Sequence, residues 1–117
     1  MTDPTIQMRE LNRRIRRDLI AAGHPGVTNA MERALREVAK ADCEPTASEL
    51  AASLGISRSA CGHDLGRLFD GGYLIGKRDE SDRRRYLVAL TDQGRAVFAV
   101  ADRSRQDASA NAGETVT

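Results

Sequence analysis

Three residues, Gly55-Ile56-Ser57, constrain the fold of this chain more than any other feature. They separate two short segments, each opened by a hydroxyl side chain and each carrying an apolar stripe. Thr46-Ala47-Ser48-Glu49 has capping-box spacing: the Thr hydroxyl accepts the N–H at Glu49, and the carboxylate reaches back to the cap N–H. This helix is predicted to run to about Leu54, with Leu50, Ala51 and Leu54 inward. Gly55 suits the left-handed residue that closes a helix, and Ser57 serves as a fresh N-cap. The next helix runs to about Asp70, with Cys61, Leu65 and Leu68 inward, and Gly71-Gly72 ends it. Two short helices joined in this way form a helix-turn-helix pattern.

The flanking sequence completes the outline. Residues 5–22 read as a helix, because Met8, Leu11, Ile15 and Leu19 recur at spacings of three and four, with Ile20 beside them. Such a stripe packs on the rest of the domain or on a second subunit more readily than on a membrane surface. Residues 28–41 read as a second helix with Thr28 as cap and Met31, Leu35 and Val38 on its apolar face. After Tyr73 the pattern changes to a β-hairpin: Tyr73-Leu74-Ile75 pairs with Arg85 to Leu90, and Gly76 to Arg84 forms a long charged tip. Thr91 caps a last helix through about Arg105, with Val97 and Phe98 available for packing. Residues 107–117 read as frayed or disordered.

Composition narrows the function classes. The 117 residues suit one domain, and at 3% aromatic residues with no Trp the core must be aliphatic. The net charge is only +1, so the placement of charge matters more than its sum. Basic residues cluster at Arg9, Arg13, Arg14, Arg16 and Arg17, and again at Lys77, Arg78, Arg83, Arg84 and Arg85. Arginine forks suit phosphates and guanine edges, although a GC-rich genome produces the same bias. Cys43 and Cys61 form no paired motif, so neither a disulfide framework nor a zinc site is expected. No cofactor and no metal are expected. The absence of a membrane-length apolar run or a signal-peptide core points to the cytoplasm. Enzymatic activity is not expected: there is no Gly-rich phosphate loop, and His24 and His63 have no evident catalytic partners.

A helix from Arg58 to Phe69 spans roughly 18 Å at about 1.5 Å per residue, and a major groove about 12 Å wide admits one helix. With Cys61, Leu65 and Leu68 inward, the candidate groove residues are Arg58, Ser59, Gly62, His63 and Arg67, and Ser57 to Ser59 sit at the helix N-terminus, where free N–H groups and the dipole favour phosphate. Arg58 and His63 could read base edges; Arg67 suits a phosphate. The alternative for the whole set is a merely solvated helix face. Gly62 and Gly66 each cost about 1 kcal/mol against Ala. Close approach to DNA, tight internal packing and drift are all open explanations. In the hairpin tip, Lys77, Arg78, Arg83, Arg84 and Arg85 are candidate contacts, with Asp82 suited to bracing an arginine rather than meeting phosphate.

Thr46 to Gly94 resembles the winged helix of the MarR family of bacterial regulators. The matching stretches are Ser48-Glu49-Leu50-Ala51, Leu54-Gly55-Ile56-Ser57-Arg58-Ser59, Gly72-Tyr73-Leu74-Ile75, Asp82-Arg83-Arg84 and Leu90-Thr91-Asp92-Gln93-Gly94. The resemblance implies a dimeric repressor that binds palindromic double-stranded DNA, of a kind that often releases it on binding a small aromatic ligand or on cysteine oxidation. It implies Arg84 as the minor-groove arginine with Asp82 as its brace. It also places Ser57, Arg58, Ser59, Gly62 and His63 at major-groove positions. Cys61 reads as buried and inert, and Cys43 as the better redox candidate.

The expected architecture is mainly α, an α+β winged helix with a three-helix core and a two- to three-stranded wing. Residues 1–26 form an N-terminal dimerisation helix, 27–91 the DNA-binding domain, 92–106 a C-terminal dimerisation helix and 107–117 a disordered tail. Leu11, Ile15, Leu19, Val97 and Phe98 are the expected dimerisation residues of a homodimer. Only 23 residues follow Gly94, fewer than the resemblance leads one to expect. That shortening puts in question the ligand pocket that the family places between its dimer helices and DNA-binding lobe. Two other functions fit the same outline. One is an architectural or plasmid-partition DNA-binding dimer; the other is a winged helix that binds protein.

Overall fold

A computed structural model describes residues 3–114. Local capping sets most of the boundaries. Asp3 accepts the Thr5 N–H and opens α1 (Pro4–Ala21), where Pro4 occupies a first-turn position that needs no N–H donor. Thr28 caps α2 (Asn29–Lys40) by accepting the Met31 N–H. The full capping box opens α3 (Ala47–Leu54): Glu49 N–H donates to Thr46 Oγ1 at 3.2 Å, and Thr46 N–H donates to Glu49 Oε1 at 2.9 Å. Gly55 closes α3 with φ 67°, where a Cβ is strained. Ser57 then caps α4 (Arg58–Asp70).

Gly72, with φ 80°, turns the chain into β1 (Leu74–Arg78), which pairs antiparallel with β2 (Tyr86–Leu90). Leu74 stands opposite Leu90 and Arg78 opposite Tyr86. The last helix, α5 (Asp92–Glu114), begins at Thr91, whose hydroxyl accepts the Gly94 N–H. The fold is thus the expected mainly helical α+β winged helix. Among the described residues the wing has two strands, and a third contribution shrinks to one bridge between Thr46 and Leu87. Pro45 has no N–H to donate, which disfavours a longer pairing there.

The core is one aliphatic cluster. Leu35, Leu50, Leu65 and Leu68 meet beneath the helix-turn-helix, and Leu74 and Val88 carry the cluster into the wing. Each leucine buried to this degree contributes about 1.5–3 kcal/mol. Against the other side of α2, α1 packs on α5, so Ile15, Leu19, Val97 and Ala101 join the same cluster.

Three expectations are corrected here. Met8 is 58% exposed and Leu11 half-buried, so only the lower half of the α1 stripe is core. Ile15, Leu19 and Val97 are 2%, 1% and 0% exposed within a single chain, which leaves them nothing to offer a second copy. Ile15 and Leu19 of α1 pack with Val97 of α5 in the one core cluster. Finally, α5 does not stop at 106: residues 107–114 are helical, and 115–117 lie outside the described residues. Ala108 and Ala110, strong helix formers, outweigh the polar composition that suggested a frayed tail.

Candidate nucleic-acid interface

Cys61, Leu65 and Leu68 fix how α4 is turned, because all three are buried. Ser59, His63, Gly66 and Asp70, at spacings of three and four, therefore share the opposite side. Ser59 and His63 are exposed, as are Ser57, Arg58, Gly62 and Arg67. Ser57 Oγ accepts the Ala60 N–H at 3.1 Å, which leaves its hydroxyl proton free to donate outward. Free N–H groups and the helix dipole at this end favour an anion. Arg67 sits apart, at the far end of α4, beside Asp70 and Gly71 and over a shallow depression shared with Met31 and Tyr73.

The two helical glycines are informative. A Cβ at Gly62 or Gly66 would meet no atom within 4 Å, so internal packing does not require either glycine. Gly94 is the opposite case: its Cβ would lie 2.1 Å from the Tyr73 carbonyl oxygen. That close approach, with the Thr91 N–H donating to Tyr73 O and the Thr91 hydroxyl to Gly72 O, fastens the base of the wing between α4 and α5.

The wing tip divides the candidate basic residues into two groups. Arg84 projects into solvent, with its side chain 93% exposed. Asp82 braces it as expected: Oδ1 accepts the Arg84 backbone N–H at 3.1 Å and Nε at 3.3 Å. Arg83 is also exposed. The other three are engaged within the protein. Lys77 Nζ lies 2.8 Å from Glu44 Oε1, and Arg85 Nη2 lies 3.0 Å from Glu49 Oε1. Arg78 donates to the Arg83 carbonyl and stacks on Tyr86, 5.8 Å from its centroid. Its neighbour Gly76 leaves space for that ring, since a Cβ there would collide with it.

Hydrogen bonding also sets local acidity. The Thr46 N–H, with Arg85 adding a smaller attraction, holds the Glu49 carboxyl below its ordinary value. Hydrogen bonds from Ser81 do the same for Asp79 in the tip. Burial, with Asp64 nearby, pushes the Cys61 thiol up, away from a reactive thiolate. Cys43 is exposed.

Sequence reasoning missed a buried ion pair. Glu32 of α2 meets Arg105 of α5, and their side chains are only 5% and 18% exposed. Beside it, between α1, α2 and α5, lies a cavity of about 360 Å³ lined by Leu11, Ile15, Arg33, Arg36, Glu32 and Arg105 among others. The pocket lies where the two flanking helices meet α2, away from α3 and α4. Among the described residues no cluster of His, Cys, Asp and Glu could hold a metal ion, and no helix is long and apolar enough to cross a membrane.

No family model matches the chain, and no curated protein matches it in sequence. Solved structures do match in fold. FabT of Streptococcus pneumoniae, solved in complex with DNA, superposes with a TM-score of 0.84 at 18% identity, covering 94% of this chain and 76% of its own. A MarR transcriptional regulator from Methanosarcina mazei Go1 gives 0.73 at 22%, covering 90% and 73%. Rv1404 of Mycobacterium tuberculosis gives 0.76 at 26%, covering 92% and 71%. The chain shares its winged-helix fold with these structures, among them a MarR transcriptional regulator.

Proposed function

We propose that the chain is a sequence-specific regulator of transcription, a repressor, that binds a palindromic operator in double-stranded DNA as a homodimer. In this reading α4 enters the major groove and the tip of the wing lies at the minor groove. Residues 27–91 are the DNA-binding unit, and the flanking helices of 5–22 and 92–105 carry dimerisation. The observation that carries the reading is the pairing of two free surfaces. One is the unoccupied outer side of α4, from Ser57 to Arg67; the other is Arg84, braced and fully projected from the next hairpin.

Each residue has a physical role. The N-terminus of α4, with the Ser57 hydroxyl, holds a phosphate and sets register. Arg58 and His63 reach base edges, where an arginine fork on guanine is the commonest specific contact. Arg84 enters a narrow minor groove, where negative potential is strongest. With a net charge of only +1, attraction to DNA must come from this local cluster rather than from the whole surface.

The dimer interface follows from what α1 leaves uncovered. Ile6 and Met8 are 47% and 58% exposed. They replace Ile15 and Leu19 as the apolar contacts offered to a second copy, beside the far end of α5. The cavity between α1, α2 and α5 suits a small organic anion, because arginines and aliphatic side chains line it together. An architectural role would use the same DNA contacts on repeated sites.

Selection of bound sites from random duplex DNA tests the reading. The expected result is an enriched palindrome whose half-sites are one helical turn, about 34 Å, or a multiple apart. Failure to retain any duplex at low salt would instead favour a winged helix that binds protein.

A further inference from the structure

Arg85 carries the charge of a DNA contact but not the freedom of one. Its Nη2 lies 3.0 Å from Glu49 Oε1, and its Nε lies 3.8 Å from Asp79 Oδ2. Glu49 belongs to the capping box that starts α3, and Asp79 to the first residues of the wing tip. The backbone of Arg85 is engaged as well: its carbonyl accepts the Asp79 N–H, and its N–H donates to Asp82 O, each at 3.0 Å. Asp82 is the brace of Arg84. One residue therefore touches the α3 cap, the near side of the tip and the residue that orients the projecting arginine.

We infer that Arg85 is a positioning residue, a strut that sets the angle of the wing against the helix-turn-helix, and not itself a DNA contact. The inference deepens the proposed DNA-binding reading and rests on it for its consequence. The strut matters because the tip has few other fasteners. Beyond the base at Tyr73 and Thr91 and the buried side chains of Leu74 and Val88, the wing is tied to the rest of the domain by the Val88 N–H to Pro45 O at 2.8 Å, the Thr46–Leu87 bridge and the Lys77–Glu44 pair. None of these engages the segment from Asp79 to Arg85. A planar guanidinium can span two carboxylates at once; an ammonium is a point charge and serves them less well.

Glu49→Gln separates the strut from a phosphate contact by the sign of its effect. Glutamine keeps the capping box, because its amide oxygen still accepts the Thr46 N–H. What it removes is the charge facing Arg85. Were Arg85 a phosphate contact, losing an acidic neighbour would tighten DNA binding. A strut predicts weaker binding, roughly two- to fivefold, the scale of an exposed ion pair. Arg85→Lys should resemble Glu49→Gln, whereas a phosphate contact would tolerate lysine.

Two measurements on the full chain decide the matter. Amide hydrogen exchange of the free protein should be roughly two- to fivefold faster at Asp79 and Arg85 in both variants, with α2 amides unchanged. Affinity for the selected palindrome should fall in both, and Glu49→Gln with Arg85→Ala should bind no worse than Arg85→Ala alone. Unchanged exchange in the tip, or tighter binding by Glu49→Gln, overturns the inference. If the native chain retains no duplex, the regulatory reading fails, while the exchange measurement still decides whether Arg85 holds the wing.

Discussion

Asp82 holds Arg84 at two points, the backbone N–H at 3.1 Å and the side-chain Nε at 3.3 Å, while leaving 93% of the arginine side chain in solvent. An exposed ion pair of this kind adds little to folding stability. Its effect is to limit the directions in which a long side chain can point. An arginine ordered before contact loses less rotamer entropy on binding. Arg84→Ala is therefore expected to weaken binding to cognate duplex by about 1–3 kcal/mol, the scale of a good groove contact, with thermal stability nearly unchanged. Fluorescence anisotropy at two salt concentrations measures this; equal affinity for both proteins counts against a minor-groove role.

The glycines of α4 make a prediction with two opposed signs. Neither Gly62 nor Gly66 has an atom within 4 Å of where a Cβ would stand. Each should therefore stabilise the helix by about 1 kcal/mol when changed to Ala. If the backbone approaches the DNA here, Gly62→Ala should at the same time weaken specific binding. Urea denaturation and a binding titration on the same sample read both. A variant that is more stable and binds as well as the native chain leaves drift as the explanation for this glycine.

Glu32 and Arg105 face each other almost out of solvent, and Glu32 Oε2 and Arg105 Nε and Nη1 have no hydrogen-bond partner among the described residues. Removing one member strands the other charge. Arg105→Ala should cost about 3–5 kcal/mol, whereas replacing both by leucine should be near neutral or stabilising. Equal losses in the single and double variants, measured by denaturant unfolding, would show that the pair holds α2 and α5 together by more than mutual neutralisation.

How far these features were legible depended on the distance between partners in sequence. Thr46 with Glu49, Ser57 with Ala60 and the left-handed Gly55 are local signals, and the helix-turn-helix followed directly from them. The Asp82 brace was legible for the same reason, since it spans two residues. The engagement of Arg85 was not, because Glu49 lies 36 residues away. Arg105 is 73 residues from Glu32, and each alone reads as an ordinary surface charge. The α1 stripe gave its helix but not its partner. Periodicity names the apolar face and is silent on whether α5 or a second chain covers it.

Acid should loosen α1 from α5. The Ser104 hydroxyl donates to Asp18 Oδ2 at 2.6 Å, and this bond, with smaller help from Arg17 and Arg14, holds the Asp18 carboxyl below its ordinary value. A carboxyl depressed in the folded state contributes stability that is present above its unfolded pKa, about 3.9. That stability is lost as pH falls through the lower, folded value. Thermal unfolding followed between about pH 3 and pH 6 should show the native chain losing more stability toward acid than Ser104→Ala. Parallel curves would mean that the bond contributes nothing to the pH dependence.

The placement of α4 and the wing on DNA is tested most directly by methylation interference on a selected duplex. Methyl groups at guanine N7 lie in the major groove, and those at adenine N3 in the minor groove. We expect N7 methylation within each half-site to block binding, with flanking N3 interference that disappears in Arg84→Ala. Interference confined to the minor groove, or N3 interference that persists without Arg84, would contradict the assignment of these two surfaces.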